Sequence, residues 1–167
     1  NSKNSISKIF AEYTGGLLNN VEIVNIDLND YEMQLFSVDI ETEKGSPKSV
    51  IDLNEVINTA DGFIISLAEH NGAYSAVFKN TFDWLSRING KVWREKPLLL
   101  LATSPGPRGG QTVLEIEIGV AGTYSLINFG ARKLDRRGGG CPGSNDRSVD
   151  FKVYDNSQTL LSTVTAY

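Results

Sequence analysis

The segment from residue 60 to residue 87 constrains the fold most, because it reads as a strand, a polar loop and a helix. Residues 63–67, Phe-Ile-Ile-Ser-Leu, form a nearly continuous apolar run, which is typical of a strand covered on both faces. A polar break follows at 68–72, and apolar or packing residues then recur at helical spacing. These are Tyr74, Val77, Phe78, Thr81, Trp84, Leu85 and Ile88. The pattern is half of a βαβ unit, and its loop lies where open α/β sheets bind their ligands.

A second buried strand is predicted at 97–103, where proline stands first, at a position that needs no ladder donor. It leads into the loop 104–110, whose three glycines let the backbone approach a ligand closely. The same loop also fits an ordinary connection stiffened by proline. Residues 111–128 fit both an alternating strand and a helical face. Because a parallel strand needs a crossover after it, the topology favours a helix.

The start of the chain predicts a helix that is weakened or ended at Gly15-Gly16. Its apolar residues have helical period, and Ser5 or Asn4 would serve as its N-cap. The stripe consists of Ile6, Ile9, Phe10, Tyr13 and Leu17. The plain interpretation is a capped helix. The alternative is an anion site, because free backbone N–H groups, the helix dipole and nearby hydroxyls suit a phosphate monoester.

The remaining segments are assigned from shorter patterns. Residues 21–26 predict a strand, and Ser46-Pro47 predicts the start of a helix. That helix would turn Val50, Leu53, Val56 and Ile57 inward. A last strand is expected at 131–134, and the apolar spacing of 160–167 suggests a closing helix. Residues 31–49 are read as irregular.

Composition excludes several functional classes. The chain has 167 residues, which predicts a single domain over 1–167. Its net charge is −4, and no basic run exceeds two residues, which argues against nucleic acid as a main partner. No apolar stretch approaches the roughly 20 residues that cross a bilayer, so no membrane partner is expected. The single cysteine, Cys141, fits a reducing, cytoplasmic compartment, and with His70 as the only histidine no metal site is expected.

Three loops together carry a family resemblance. Residues 68–72, Ala-Glu-His-Asn-Gly, precede Lys79-Asn80 and Asp83-Trp84-Leu85-Ser86. They resemble the Pro-Glu-Tyr-Asn-Gly, Lys-Asn and Asp-Trp-Leu-Ser signature of the NAD(P)H-dependent FMN reductase family. Residues 104–110 are similar to the family's Ser-x-Gly-x-x-Gly-Gly loop, and residues 2–7 look like the tail of its phosphate loop. The resemblance covers roughly residues 1–135.

This resemblance implies a flavodoxin-like α/β fold, with a doubly wound parallel sheet of order 2-1-3-4-5 in three α/β/α layers. The central strand of that order has no counterpart in the sequence, so we expect about 6–10 further residues before Asn1. The resemblance also implies FMN as cofactor, NADPH or NADH as co-substrate, and a homodimer or homotetramer with the flavin near an interface.

The FMN contacts that the resemblance implies fall into three groups. The phosphate group consists of Ser2, Asn4, Ser5, Ile6 and Ser7. The ring would lie against Glu69, His70, Asn71 and Gly72. Its other side would be bordered by Ser104, Gly106, Arg108, Gly109 and Gly110. No side chain is expected to be catalytic, because the cofactor carries the chemistry.

The function expected from the sequence is therefore that of an FMN-dependent NAD(P)H reductase. It would pass hydride from the nicotinamide through FMN to a small acceptor, such as a quinone, an azo compound, a metal oxyanion or free flavin. The alternative is a flavodoxin-like module without enzymatic activity, acting as an electron carrier or an interaction domain. Trp84 is expected in the core or at an interface, and Lys79 and Arg87 are expected to be solvated or paired.

Overall fold

The computed structural model describes residues 5–103, 110–121, 126–131, 149–154 and 160–166. Five helices lie in this part of the chain: α1 (Ile6–Gly15), α2 (Val38–Lys44), α3 (Lys48–Thr59), α4 (Ala76–Ile88) and α5 (Gln111–Ala121). The same residues contain six strands: β1 (Phe63–His70), β2 (Ala73–Tyr74), β3 (Leu98–Thr103), β4 (Leu126–Ala131), β5 (Val149–Tyr154) and β6 (Leu160–Ala166). The predicted strands at 63–67 and 97–103 and the predicted helix after 110 are confirmed.

The six strands form a mixed sheet in the order β2-β1-β3-β4-β5-β6. β1, β3 and β4 are parallel, and α5 provides the crossover between β3 and β4. β2, β5 and β6 pair antiparallel to their neighbours. The sheet is therefore parallel only in its middle, and it differs from the wholly parallel sheet expected from the sequence.

Two apolar clusters hold the helices against one another and against the sheet. In the first, α5 packs on β1 and β3 through Leu67, Leu98, Leu100, Ala102, Val113 and Leu114. In the second, α3 packs on α4 through Val50, Leu53, Ile57, Trp84, Leu85 and Val92. Phe63 and Trp93 contact both clusters, with ring centroids 5.4 Å apart, and so join them. Leu67, in the carboxyl-terminal half of β1, is therefore packed against α5.

Helix α1 begins and ends as the sequence predicts. The Ser5 hydroxyl accepts the N–H of Lys8 at 3.3 Å, which makes Ser5 the N-cap. The helix ends at Gly15, next to the predicted glycine pair. Its apolar stripe, however, is buried only at Phe10, whereas Ile6 is 70% exposed and Ile9 is 62% exposed.

Several other sequence assignments are corrected by the structure. Residues 21–26 are exposed and form no strand, because no described strand pairs with them. Helix α2 lies within the segment that was read as irregular. The predicted closing helix at 160–167 is instead β6, where the consecutive β-branched residues Thr163-Val164-Thr165 suit a strand paired with β5. The strand expected at 131–134 is β4, which ends at Ala131.

Part of the signature on α4 serves the fold. The Asn80 side chain accepts the N–H of Phe36 at 2.8 Å and donates to the Gln34 carbonyl at 3.1 Å. The Trp84 indole donates to the same carbonyl at 2.9 Å, and its ring meets Phe36 edge-on at 5.0 Å. Trp84 is fully buried, which confirms the predicted core position. These residues clamp the segment 34–36 onto α4.

Two ion pairs on α4 agree with the sequence prediction for its charged residues. Lys79 pairs with Asp83 one turn along the helix, and Arg87 binds Glu41 of α2 through Nε at 2.9 Å. Among the residues that the structure describes, no helix has both the length and the apolar character needed to cross a bilayer.

Candidate functional site

The candidate site lies at the edge where β1 and β3 end side by side. Their pairing places Leu67 opposite Ala102 and Ala68 opposite Thr103. The carboxyl ends of the two parallel strands therefore lie at the same end of the sheet, where ligands bind in open α/β sheets. Gly110 has a φ of +85° and directly precedes α5.

The polar stretch after Leu67 is a hairpin and not an open loop. β1 continues through His70, and β2 returns to pair Glu69 with Tyr74 and His70 with Ala73. Asn71 and Gly72 connect the two strands with φ values of +53° and +76°. Positive φ at both central residues is the mark of a type I′ turn, which Asn-Gly favours strongly. The Asn71-Gly72 dipeptide is the sequence signal that would have predicted this hairpin.

The hairpin lies against the first turn of α5. The Glu69 carboxylate accepts the backbone N–H of Val113 at 3.3 Å. A Cβ placed on Gly72 would lie 3.9 Å from Cγ2 of Thr112. Thr112 and Val113 thus belong to the neighbourhood of the site, although the sequence reasoning did not include them. An approach of this kind between separate elements leaves no local signal in the sequence.

The start of α1 carries the described part of the predicted phosphate group. Ser5 uses its hydroxyl to cap the helix, and Ile6 and Ser7 open the first turn. Helix α1 packs on β1 and β3, but no hydrogen bond within the described residues joins Ser5 to the hairpin or to α5. Ser2 and Asn4 lie outside the described residues.

An ion pair joins α1 to the segment 21–27 that follows it. Lys8 Nζ lies 2.9 Å from a carboxylate oxygen of Asp27. The backbone N–H of Asn29 and the Lys8 ammonium lower the pKa of Asp27 to about 2. The same pairing raises the pKa of Lys8. The Lys8 ammonium, in the first turn of α1, is therefore already paired with a carboxylate.

The structure brings together five of the residues that the sequence proposes for contact with the flavin ring. Glu69, His70, Asn71 and Gly72 lie in the hairpin, and Gly110 stands at the start of the helix that the hairpin contacts. The others of that group, Ser104, Gly106, Arg108 and Gly109, lie outside the described residues.

The described part of this edge suits a flat ligand that is held by backbone groups. Asn71 is exposed, and Gly72 adds no side chain to the turn, so a ring can approach the backbone there. In the described part of the chain no group of three or more His, Cys, Asp or Glu side chains is placed to hold a metal ion. The chemistry available from the hairpin is thus that of peptide N–H and C=O groups, with the exposed His70 beside them.

Comparison with known proteins gives the following matches. The sequence model of the family described as "NADPH-dependent FMN reductase" matches residues 1–128. A quinone reductase of Escherichia coli (strain K12) is 37% identical over 79 residues, which are 47% of this chain and 42% of that protein. A Mycoplasma pneumoniae protein is 32% identical over 121 residues, 70% of each chain. An NADPH azoreductase of a Bacillus species is 32% identical over 79 residues, 47% of this chain and 43% of that protein.

Among solved structures, a flavoenzyme NAD(P)H:(acceptor) oxidoreductase from Paracoccus denitrificans superposes with a TM-score of 0.60. The superposition covers 97% of this chain and 82% of that one, at 19% sequence identity, and it shows a shared fold. The chain spans less than half the length of the quinone reductase and the azoreductase that it matches.

Proposed function

The chain belongs to the NADPH-dependent FMN reductase family, and from this premise we propose that it is an FMN-containing oxidoreductase that uses NADPH or NADH to reduce a small acceptor. The observation that carries this proposal is the extent of the family match, which runs through all three segments proposed to contact FMN. The relatives named quinone reductase and NADPH azoreductase make a quinone or an azo compound the proposed acceptor. FMN, when bound, supplies the two-electron chemistry between nicotinamide and acceptor.

The ring of FMN is proposed to lie at the hairpin edge. His70, Asn71 and Gly72 would line one side and Gly110 the other, together with Ser104, Gly106, Arg108 and Gly109. The positive φ values of Asn71 and Gly72 support this arrangement, because they fix the direction of the peptide groups before a ligand arrives. The role of these residues is to bind and orient, and none of their side chains is assigned a proton transfer.

The phosphate is proposed to bind at the start of α1, against Ser5, Ile6 and Ser7 with Ser2 and Asn4. A helix start offers free N–H groups and a partial positive charge to an anion. The start of α5 already has a carboxylate partner in Glu69. Between these two helix starts, that of α1 is therefore the better phosphate site.

We further propose that the flavodoxin-like order 2-1-3-4-5, in three layers, is completed by a further strand beside β1, on the side away from β3. On the edge of β1 away from β3, the described residues provide partners only for Glu69 and His70. Next to α1, Val21 and Val24 are 53% and 64% exposed. Slow amide exchange at those N–H groups of residues 63–68 that are not bonded to β3 would support this strand, and fast exchange at them would contradict it.

The assembly is proposed to be a homodimer or homotetramer of a single-domain chain in the cytoplasm. A continuous sheet from β2 to β6 supports a single domain, and the lone Cys141 fits a reducing compartment. Light scattering on the purified protein tests the assembly, and a monomer at micromolar concentration would contradict it.

The function is tested by the visible absorption of the purified protein after incubation with FMN. Retained flavin absorption that NADPH or NADH bleaches without oxygen, and that a quinone restores, is the expected result. Retention of FMN without direct bleaching would identify an electron carrier. Failure to bind FMN at micromolar concentration would refute both flavin functions and leave an interaction module.

A further inference from the structure

We propose that Glu69 is a positioning residue that holds the hairpin turn against the start of α5 and so fixes one wall of the flavin site. This proposal rests on the proposed FMN function. It changes the role expected for Glu69, because its carboxylate is directed at the protein's own helix and not at a ligand.

Within the described residues, no side chain of α5 itself caps its first turn. Gly110, whose carbonyl accepts the N–H of Leu114, precedes the helix and has no side chain for capping. The first turn also contains no acidic residue. Because the first N–H groups of a helix have no acceptor within it, they need one from elsewhere. Glu69 supplies that acceptor from β1, together with a negative charge that suits the helix dipole.

The hydrogen bond between Glu69 and Val113 also helps to position the Asn71-Gly72 turn. Glu69 stands two residues before Asn71 and is paired with Tyr74 across the hairpin. Its backbone is thus fixed in the sheet while its carboxylate is bound to Val113, which is fully buried. Gly72 then lies beside Thr112. The Glu69 carboxylate therefore adds a direct polar link between the hairpin and the start of α5, beside the apolar packing of Leu67 on Val113.

Glu115 provides a matched control. It lies on the same helix, is exposed, and accepts a hydrogen bond at 2.7 Å from Gln111 within α5. Removing its charge changes the electrostatics near the helix start without cutting a link to β1. Three full-length variants are compared with the parent protein: Glu69→Ala, Glu69→Gln and Glu115→Ala.

Two measurements are made on each protein: amide hydrogen exchange at Val113 without FMN, and the dissociation constant for FMN from quenching of flavin fluorescence. In Glu69→Ala we expect Val113 to exchange about tenfold faster and FMN to bind about tenfold more weakly, as for the loss of one charge-assisted hydrogen bond. Glu69→Gln keeps an acceptor oxygen and should lie between parent and alanine variant in both measurements. Glu115→Ala should match the parent.

Unchanged exchange at Val113 in Glu69→Ala would overturn the proposal, and so would an equal loss of FMN affinity in Glu115→Ala. Faster exchange with unchanged FMN affinity would also overturn it, because the contact would then not shape the site. If the parent protein fails to bind FMN, the proposed function fails and the positioning role fails with it, whereas the exchange data still show whether the contact exists.

Discussion

Replacing Asn80 by alanine should lower the free energy of unfolding without weakening FMN binding. The substitution removes the acceptor for the N–H of Phe36 and one of two donors to the Gln34 carbonyl. Two hydrogen bonds at about 1 kcal/mol each give a loss of about 2 kcal/mol, from which the better helix propensity of alanine subtracts about 0.5 kcal/mol. For a chain of this size the midpoint of thermal unfolding should fall by about 3–6 °C.

Trp84 provides a second test of this hydrogen-bonded cluster, because its indole donates to the same Gln34 carbonyl. Trp84→Phe alone should cost about 2 kcal/mol, since it removes that donor and leaves space in a fully buried position. In each single variant the carbonyl keeps one partner. In the double variant it keeps neither, so the combined loss should exceed the sum of the two by about 1 kcal/mol.

Urea unfolding followed by circular dichroism gives the four free energies of this cycle. Lys79→Ala is the matched control on the same helix: it removes an exposed ion pair and should change stability by less than about 0.5 kcal/mol. Additive losses in the double variant would refute the shared-carbonyl reasoning. A clear loss of FMN affinity in Asn80→Ala would show that this part of the signature contacts the cofactor and does not serve only the fold.

Three further substitutions test other parts of the structure by urea unfolding. Asp27→Asn should cost under about 1 kcal/mol at pH 6, since solvent screens the pair with Lys8. Because the pKa of Asp27 is lowered to about 2, its stabilisation is present above about pH 4 and lost as the pH falls towards 2, so the difference should vanish there. Arg94→Lys should cost about 2 kcal/mol, because one ammonium cannot replace a guanidinium that binds Asn54 and backbone carbonyls. Gly72→Ala should cost about 1 kcal/mol, because its φ is +76° while its Cβ would make only an ordinary contact of 3.9 Å with Cγ2 of Thr112.

The predictions for Asp27, Arg94 and Gly72 can each be contradicted by a specific result. A loss in Asp27→Asn that stays constant from pH 6 to pH 2 would mean that the carboxylate charge is not responsible. Parent-like stability of Arg94→Lys would show that the segment 91–94 is held by its apolar contacts alone. Gly45→Ala should cost more than Gly72→Ala, because Gly45 has a φ of +71° and a ψ of −168°, a backbone region that is essentially restricted to glycine.

The sequence alone predicted the elements whose signals are local. Periodicity placed β1, β3 and α3, the hydroxyl of Ser5 marked the start of α1, and the need for a crossover decided that α5 is a helix. The family, and with it the expectation of FMN, followed from short motifs. In each case neighbouring residues carry the information, because propensity, capping and period act within one or two turns.

Only the tertiary structure decided what depends on partners distant in sequence. Residues 21–26 have the composition of a strand but stay unpaired in the described chain, and β6 is a strand because β5 lies beside it. Glu69 was assigned to the flavin from its motif, yet its carboxylate meets Val113, 44 residues further along. A side chain's partner is set by which elements the packed core brings together, and no local pattern encodes that approach.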